Sequence, residues 1–335
     1  MYISLIIPVY NRPDEVWELL ESLAVQTCRD FEVVIVEDGS KISSRKVADG
    51  FSGELDISYY FQENTGPAVA RNTGAANAKG DFFIFMDSDC IVPGGYFAAV
   101  YNQLESNGIE FFGGADSAAE DFSPMQKAVS YSMTSIFTTG GIRGASKGME
   151  KFKPRSFNLG ISKELFFKVG GFSDMRIGED IDFSLRVLDT GVKAWFLPDA
   201  TVCHKRRTSM KLFFKQVFIF GVARVNLNIR HPESRRIVYL LPMLFTLGSL
   251  ALIICSLFIT PWLLVAFVVL MLLWFSDSAI HNRSIYIGWL SIWTSFIQLY
   301  GYGVGFLYGI WQRRILQKDE KYTYKVTKFF SAKTR

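Results

Sequence analysis

The sequence predicts an α/β domain on a mostly parallel sheet, followed by helices that meet a membrane. Three observations carry this. Strand-like apolar runs alternate with helix-like segments over the first half of the 335 residues. Charge is divided unevenly: residues 1–204 hold 18 Lys+Arg against 28 Asp+Glu, and residues 205–335 hold 18 against 4. An uncharged apolar run long enough to cross a bilayer extends from Ile237 to Ile259. The acidic front argues against nucleic acid as a partner. The basic, apolar rear argues for an anionic membrane surface.

Residues 3–9 are β-rich and make the first strand. After a turn at Asn11-Arg12-Pro13, apolar spacing predicts a helix from Asp14 to about Gln26. Glu32–Glu37 and Ile57–Phe61 read as strands, Pro67–Lys79 as a helix, and Phe82–Met86 as a buried strand. Ligands of such sheets bind beyond the carboxyl ends of the strands, and both Asp38 and Asp87 close a strand. A further strand is read through Glu110–Phe112. Residues 117–155 show no clean period and contain Gly140-Gly141 and Gly144, so they read as a mobile loop over the site. Order returns at Phe157, and a helix starts near Glu179. Residues 208–228 mix apolar side chains with Lys211, Lys215 and Arg224. They fit an amphipathic helix in the membrane interface, or a core helix of the soluble domain.

The expected organisation is a domain over 1–230, membrane or interfacial helices over 231–316, and a basic tail over 317–335. Spans are expected near 237–259, 262–280 and 285–311. Gly301, Gly305 and Gly309 suit close helix packing in lipid. Topology meets a conflict. The basic segment around Lys205, Arg206, Arg207, Arg235 and Arg236 belongs on the cytoplasmic side, yet three spans would export a tail that is also basic. The third stretch is therefore expected to be interfacial or re-entrant, unless the tendency fails here. No basic region precedes the first apolar run, so no cleavable signal peptide is expected. Cys28, Cys90, Cys203 and Cys255 form no Cys-x-x-Cys pair and read as reduced thiols.

The sharpest chemical signal is Asp87-Ser88-Asp89. Residues i and i+2 of an extended chain share a side, so the two carboxylates project together. They repel unless a cation sits between them. Hard oxygen ligands suit Mg2+ or Mn2+, which commonly hold substrate phosphates. An acidic turn without a ligand is the plainer alternative.

Around this pair stand Ser4-Leu5-Ile6-Ile7-Pro8-Val9-Tyr10-Asn11, Val36-Glu37-Asp38-Gly39-Ser40, Asn64-Thr65-Gly66 and Ala70-Arg71-Asn72-Thr73-Gly74. Gly170-Gly171-Phe172 and Gly178-Glu179-Asp180 follow. In this order the strings resemble the inverting glycosyltransferases of family 2, over roughly residues 3–230. The resemblance implies the GT-A fold, a Rossmann-like mixed sheet that binds nucleotide sugars. It also implies roles. Asp38 would accept a hydrogen bond from the nucleobase, usually uracil, with Pro8 and Tyr10 lining the pocket; an Asx turn is the alternative. Arg71 would face the donor nucleotide, or be a surface Arg. Asp87 and Asp89 would hold the metal, Mn2+ or Mg2+, with Asp87 also reaching the ribose and His204 as a third ligand. His204 could equally be structural. Asp180 would be the general base that inversion requires, though acids also favour helix N-termini for capping. Asp182 and Asp174 are nearby competitors. Asn11, Asn158, Glu179 and Arg207 would support the site. No Gln-x-x-Arg-Trp string is present, which speaks against processive polymer synthesis.

The implied protein is a multi-pass enzyme of the cytoplasmic (inner) membrane with a cytosolic catalytic domain. It would move a sugar from a nucleotide-diphosphate donor, UDP-linked if Asp38 is a guide, to a saccharide or lipid-linked hydroxyl in cell-surface glycan synthesis. Two alternatives stay open: a polyprenyl-phosphate glycosyl synthase, whose anionic acceptor needs no base, and a silent scaffold of a polysaccharide assembly complex.

Overall fold

Eight strands form one sheet in the order β3-β2-β1-β4-β7-β6-β8-β5. They are β1 (Ile3–Val9), β2 (Phe31–Asp38), β3 (Asp56–Gln62), β4 (Phe82–Met86), β5 (Cys90–Ile91), β6 (Phe111–Ser117), β7 (Asn158–Ser162) and β8 (Trp195–His204). This computed structural model describes residues 1–117, 122–139, 152–204 and 209–323. The strands β3, β2, β1 and β4 run parallel, and β7 is antiparallel to both β4 and β6. All eight residues of β2 are buried, as expected of a central strand covered on both faces. In β3 none is fully buried, which fits an edge.

Thirteen α-helices occur among the described residues: α1 (Pro13–Ala24), α2 (Arg45–Phe51), α3 (Pro67–Asn77), α4 (Tyr96–Asn107), α5 (Pro124–Thr134), α6 (Ile136–Thr139), α7 (Lys163–Lys168), α8 (Glu179–Asp189), α9 (Met210–Arg230), α10 (Leu241–Phe258), α11 (Val265–Asn282), α12 (Ile285–Ile310) and α13 (Glu320–Thr323). The period-2 alternation of β1 divides the core. Ile3, Leu5, Ile7 and Val9 pack with Val16, Leu19, Leu20 and Leu23 of α1 and with α4. Ile6 faces the other way, toward Ala70 and Ala75 of α3 and Phe183 of α8. Pro13 opens α1, where its missing N–H costs nothing.

The chain order β3-β2-β1 reverses at β4, so a crevice opens beyond the carboxyl ends of β1 and β4. Tyr10, Asn11 and Arg12 leave one wall of it, and Asp87 to Asp89 leave the other.

The chain divides into two compact units: Met1–Ala119 with Phe152–Lys205, and Glu120–Lys151 with Arg206–Arg335. The sequence placed a single domain over 1–230. Instead α9 packs in the second unit, and so do α5 and α6, which lie between β6 and β7 in the chain. The loop expected over 117–155 is corrected in part, because α5 and α6 occupy its described middle. Ser123 caps α5 through a reciprocal capping box with Gln126, and Pro124 takes the first helical position. Tyr131 donates to Asp277 Oδ2 at 2.7 Å, and Thr294 donates to the Ala128 carbonyl at 3.0 Å.

In the second unit α12 is the centre, with α5, α9, α10 and α11 against it. Its glycines allow backbone contact with α9. A Cβ on Gly305 would lie 2.0 Å from the Phe218 carbonyl oxygen, and one on Gly221 would lie 2.2 Å from that of Tyr302. Helices α10 and α11 bury little of themselves. Three segments are long and apolar enough to cross a membrane by length and composition: Met210–Arg230, Ile237–Phe258 and Pro261–Asn282. The third such segment is α9, and 285–311 is not among them, since its Gly, Trp and Tyr lower its hydropathy.

Candidate active site

Asp38 ends β2 and is nearly buried. Its Oδ1 accepts from Gln62 Nε2 at 2.8 Å and the Thr65 N–H at 2.9 Å, and its Oδ2 accepts from the Gly66 N–H at 2.8 Å. The carboxylate thus ties the β3–α3 turn to β2. Gly39 follows at φ +70°, where a Cβ would meet the Asn64 nitrogen at 2.5 Å, so only glycine passes. Glu37 points to the opposite face. It accepts from the Ser44 N–H at 2.7 Å and the Tyr59 hydroxyl at 2.6 Å, which fixes the entry to α2.

Asn11 is also a structural pin. Its Oδ1 accepts from the N–H groups of Lys41 and Ile42 at 2.7 and 3.1 Å, while its own N–H donates to Ser40 Oγ. The end of β1 is thereby locked to the loop after β2. Pro8 is half-buried, and the Tyr10 ring is exposed at the rim. Asn158 is buried in a clamp. Its Oδ1 accepts from the Tyr96 hydroxyl at 2.6 Å and its Nδ2 donates to the Ala200 carbonyl at 2.8 Å, beside the irregularity where β6 meets β8.

The charged centre is built by Arg71. Its side chain is 3% exposed and bridges two segments: Nη2 to Asp87 Oδ1 at 2.7 Å and Nη1 to Glu179 Oε1 at 2.9 Å. The guanidinium also stands over the Phe172 ring at 5.5 Å. Burial works against its charge, but the two carboxylates more than offset that and hold its pKa above the ordinary value. Glu179 is pushed up to about 7, first by burial and then by the neighbouring Asp180, with Arg71 pulling the other way.

Asp89 lies across from Asp87 and accepts from Arg12 Nη1 at 2.8 Å. Position 204 comes close through the backbone: β5 and β8 pair antiparallel with Cys90 opposite His204. Asp180 is the second residue of α8, which opens at Glu179 after Gly178, held at φ +83°. Its Oδ1 accepts from the Ile181 N–H at 2.8 Å, and Oδ2 faces Arg155 Nη1 at 3.4 Å. Of its competitors, Asp182 is spent on Arg186 at 3.0 Å, and Arg186 donates on to the carbonyls of Val169 and Gly171. Asp174 is exposed. Arg207 lies outside the described residues.

The donor set fits a hard divalent ion. Two carboxylates flank Ser88 in the turn after β4, and each already carries a guanidinium nitrogen at 2.7 to 2.8 Å, a cation standing where positive charge is wanted. Two or three protein ligands leave room for the phosphate and water ligands that Mg2+ and Mn2+ keep.

Sequence reasoning missed Arg12 and Arg155. Arg12 carried a signal, because it falls three residues past the carboxyl end of β1, on the crevice side of the sheet. Arg155 lay in the stretch taken for a loop.

Residues 4–159 match the model of Glycosyl transferase family 2. Glycosyltransferase AglE of Haloferax volcanii is 26% identical over 265 residues, covering 74% of this chain and 81% of that protein. An uncharacterized glycosyltransferase of Haemophilus influenzae is 36% identical over 195 residues, and the match covers 56% of this chain and 62% of that one. Among solved structures, the mannosyltransferase PcManGT of Pyrobaculum calidifontis, in complex with GDP-Man and Mn2+, shares the fold. It superposes with a TM-score of 0.64 at 17% identity, over 93% of this chain and 88% of that one. The alternating strands, the acidic pair at the sheet rim and these likenesses agree: residues 4–159 resemble glycosyl transferase family 2, and the chain has a GT-A-like fold joined to apolar helices.

Proposed function

We propose that the chain transfers a sugar, with inversion, from a nucleotide-diphosphate donor to a hydroxyl of a lipid-linked or growing saccharide at a membrane surface. One observation supports this above the rest. Arg71 joins Asp87, at the end of β4, to Glu179, at the start of α8, and so sets the acidic pair beside Asp180. The nucleobase is assigned to the pocket of Pro8, Tyr10 and Asp38. Asp38 Oδ2 accepts one hydrogen bond among the described residues and keeps a lone pair for a base N–H. Asp87, Asp89 and His204 are the residues that would hold Mn2+ or Mg2+, whose charge would stabilise the departing diphosphate. Asp180 takes the acceptor's hydroxyl proton as that oxygen bonds to the anomeric carbon and the bond to the diphosphate breaks. Arg155 and the Ile181 N–H orient its carboxylate for this.

Turnover of a panel of nucleotide sugars, with and without chelator, tests the reading. Chelator and the Asp87→Ala, Asp89→Ala double variant are expected to abolish transfer. Asp180→Asn is expected to lower kcat by about 10²- to 10⁴-fold, the usual worth of a general base. Metal-independent turnover by the double variant would remove the mechanism.

For the membrane we infer a hairpin of α10 and α11. Both lie within segments long and apolar enough to cross a membrane. Their junction exposes Leu257, Phe258, Ile259 and Trp262 at 73–83%. Arg235 and Arg236 precede the hairpin and Arg283 follows it, so both ends suit the cytosolic side. The feet of the hairpin meet α12 at Gly303 and Gly288, about 22 Å apart along the helix. Along α12, Tyr286, Trp289 and Trp293 are exposed at 47–61%. Such a row of aromatics suits a helix lying in the interface. This arrangement keeps the basic tail on the cytosolic side and removes the topology conflict.

A further inference from the structure

Arg12 is placed with care. The residue before it, Asn11, is held at φ +54° by the loop after β2, and the residue after it, Pro13, opens α1. Between these two fixed points its side chain crosses the switch crevice and reaches Asp89 Oδ2 at 2.8 Å, with Glu15 at 3.5 Å behind it. Burial opposes its charge, but Asp89 and Glu15 outweigh that.

The two arginines on the acidic pair differ in how they are held. Arg71 is buried, bridges two carboxylates and sits against the Phe172 ring. Arg12 is 33% exposed, and its carboxylate contacts are on the crevice mouth. A lone pair given to a guanidinium is not available to a metal in the same direction, and the two cations repel. An ion that takes Asp89 Oδ2 therefore has to move Arg12, which is the more exposed of the two arginines. Once displaced, it is a planar double donor at the rim, matched in geometry to a phosphate.

We propose that Arg12 is an exchangeable cation. It covers Asp89 before loading, gives way when the donor arrives with its ion, and then binds the donor's diphosphate. This rests on the ion-and-nucleotide reading above and adds a residue and an order to it. Metal alone then binds against Arg12, whereas metal with nucleotide gives Arg12 a new partner. The two ligands are coupled, and linkage makes the coupling reciprocal.

The test is a titration of full-length protein with Mn2+, following the free ion by electron paramagnetic resonance, with and without UDP or GDP. Without nucleotide, Arg12→Ala is expected to bind Mn2+ about fivefold more tightly than the wild type, the worth of a partly exposed ion pair. Arg12→Lys keeps the charge and is expected to stay within roughly twofold of the wild type. With nucleotide, the advantage of Arg12→Ala should vanish or reverse. A Mn2+ affinity in Arg12→Ala that is unchanged or weaker without nucleotide overturns the proposal. Asp89→Asn separates this from failure of the underlying reading. If it binds Mn2+ as tightly as the wild type, the ion does not sit on Asp89 at all, and both readings fall. Arg12 lies at the surface end of α1, and a melting curve of each variant checks that it folds.

Discussion

Glu179 is a buried acid whose charge is tolerated only because Arg71 stands against it. Its folded pKa, about 7, lies above the ordinary carboxylate value of 4.5. The sign follows from linkage. The folded state binds a proton more readily than the unfolded chain between those two values, so stability from this group is full below about 4.5 and is lost as pH rises through about 7. Comparing melting temperatures of the wild type and Glu179→Gln from pH 5 to 8 should show the wild type losing ground steadily, by on the order of 1–3 kcal/mol in all. A constant difference would mean that Glu179 is ionised throughout. At this scale the sequence was informative where partners are close in the chain. Asp87 and Asp89 stand two residues apart in the turn after β4, and that closeness is visible without a structure. Arg12 and Asp89 are 77 residues apart, so their pairing exists only after the sheet has formed. Asp38 was legible as a strand-end carboxylate. Its bonds to Thr65 and Gly66 were not, because they depend on where the β3–α3 turn lands.

At the scale of elements, β1, β2 and β4 were legible because each is a short, almost unbroken apolar run, the mark of a strand covered on both faces. β8 was not, because Pro198 and Asp199 interrupt it where it shifts register against β6. α5 hid behind the glycines of 140–144, although Ser123-Pro124-Met125-Gln126 carries a capping box and a first-turn proline. The glycine repeat of α12 was read for close packing, and the structure supplies the partner, α9. Gly305→Val puts a branched side chain where even a Cβ would be 2.0 Å from the Phe218 carbonyl. It is expected to cost about 3 kcal/mol, read as a lowered melting temperature in detergent. Gly248→Val is the control, since a Cβ there meets nothing within 4 Å. Equal melting of the two variants would contradict the α9–α12 contact.

At the scale of the molecule, the charge division seen in the composition has a structural counterpart in two units, one acidic around the sheet and one basic around α12. The boundary at residue 230 was misplaced because α9 is mixed in character. Its apolar side chains pack on α12, and its Lys211 and Lys215 imitate a soluble amphipathic helix. The hairpin reading makes a definite statement about sidedness. In a background without Cys28, Cys90, Cys203 and Cys255, single cysteines replacing Glu233, Thr260 and Lys318 can be labelled with a membrane-impermeant maleimide in oriented vesicles. Positions 233 and 318 should react from the same face and position 260 from the other or not at all. Opposite faces for 233 and 318 would restore an odd number of spans.

The acidic pair at the rim of the sheet is the point on which the functional reading turns. Anomalous diffraction from crystals grown with Mn2+ and a nucleotide diphosphate addresses it directly. The account expects one strong manganese peak bonded to Asp87 or Asp89, with His204 and the phosphates completing its shell. A peak elsewhere, with nucleotide bound and both aspartates still held by Arg71 and Arg12, would contradict it.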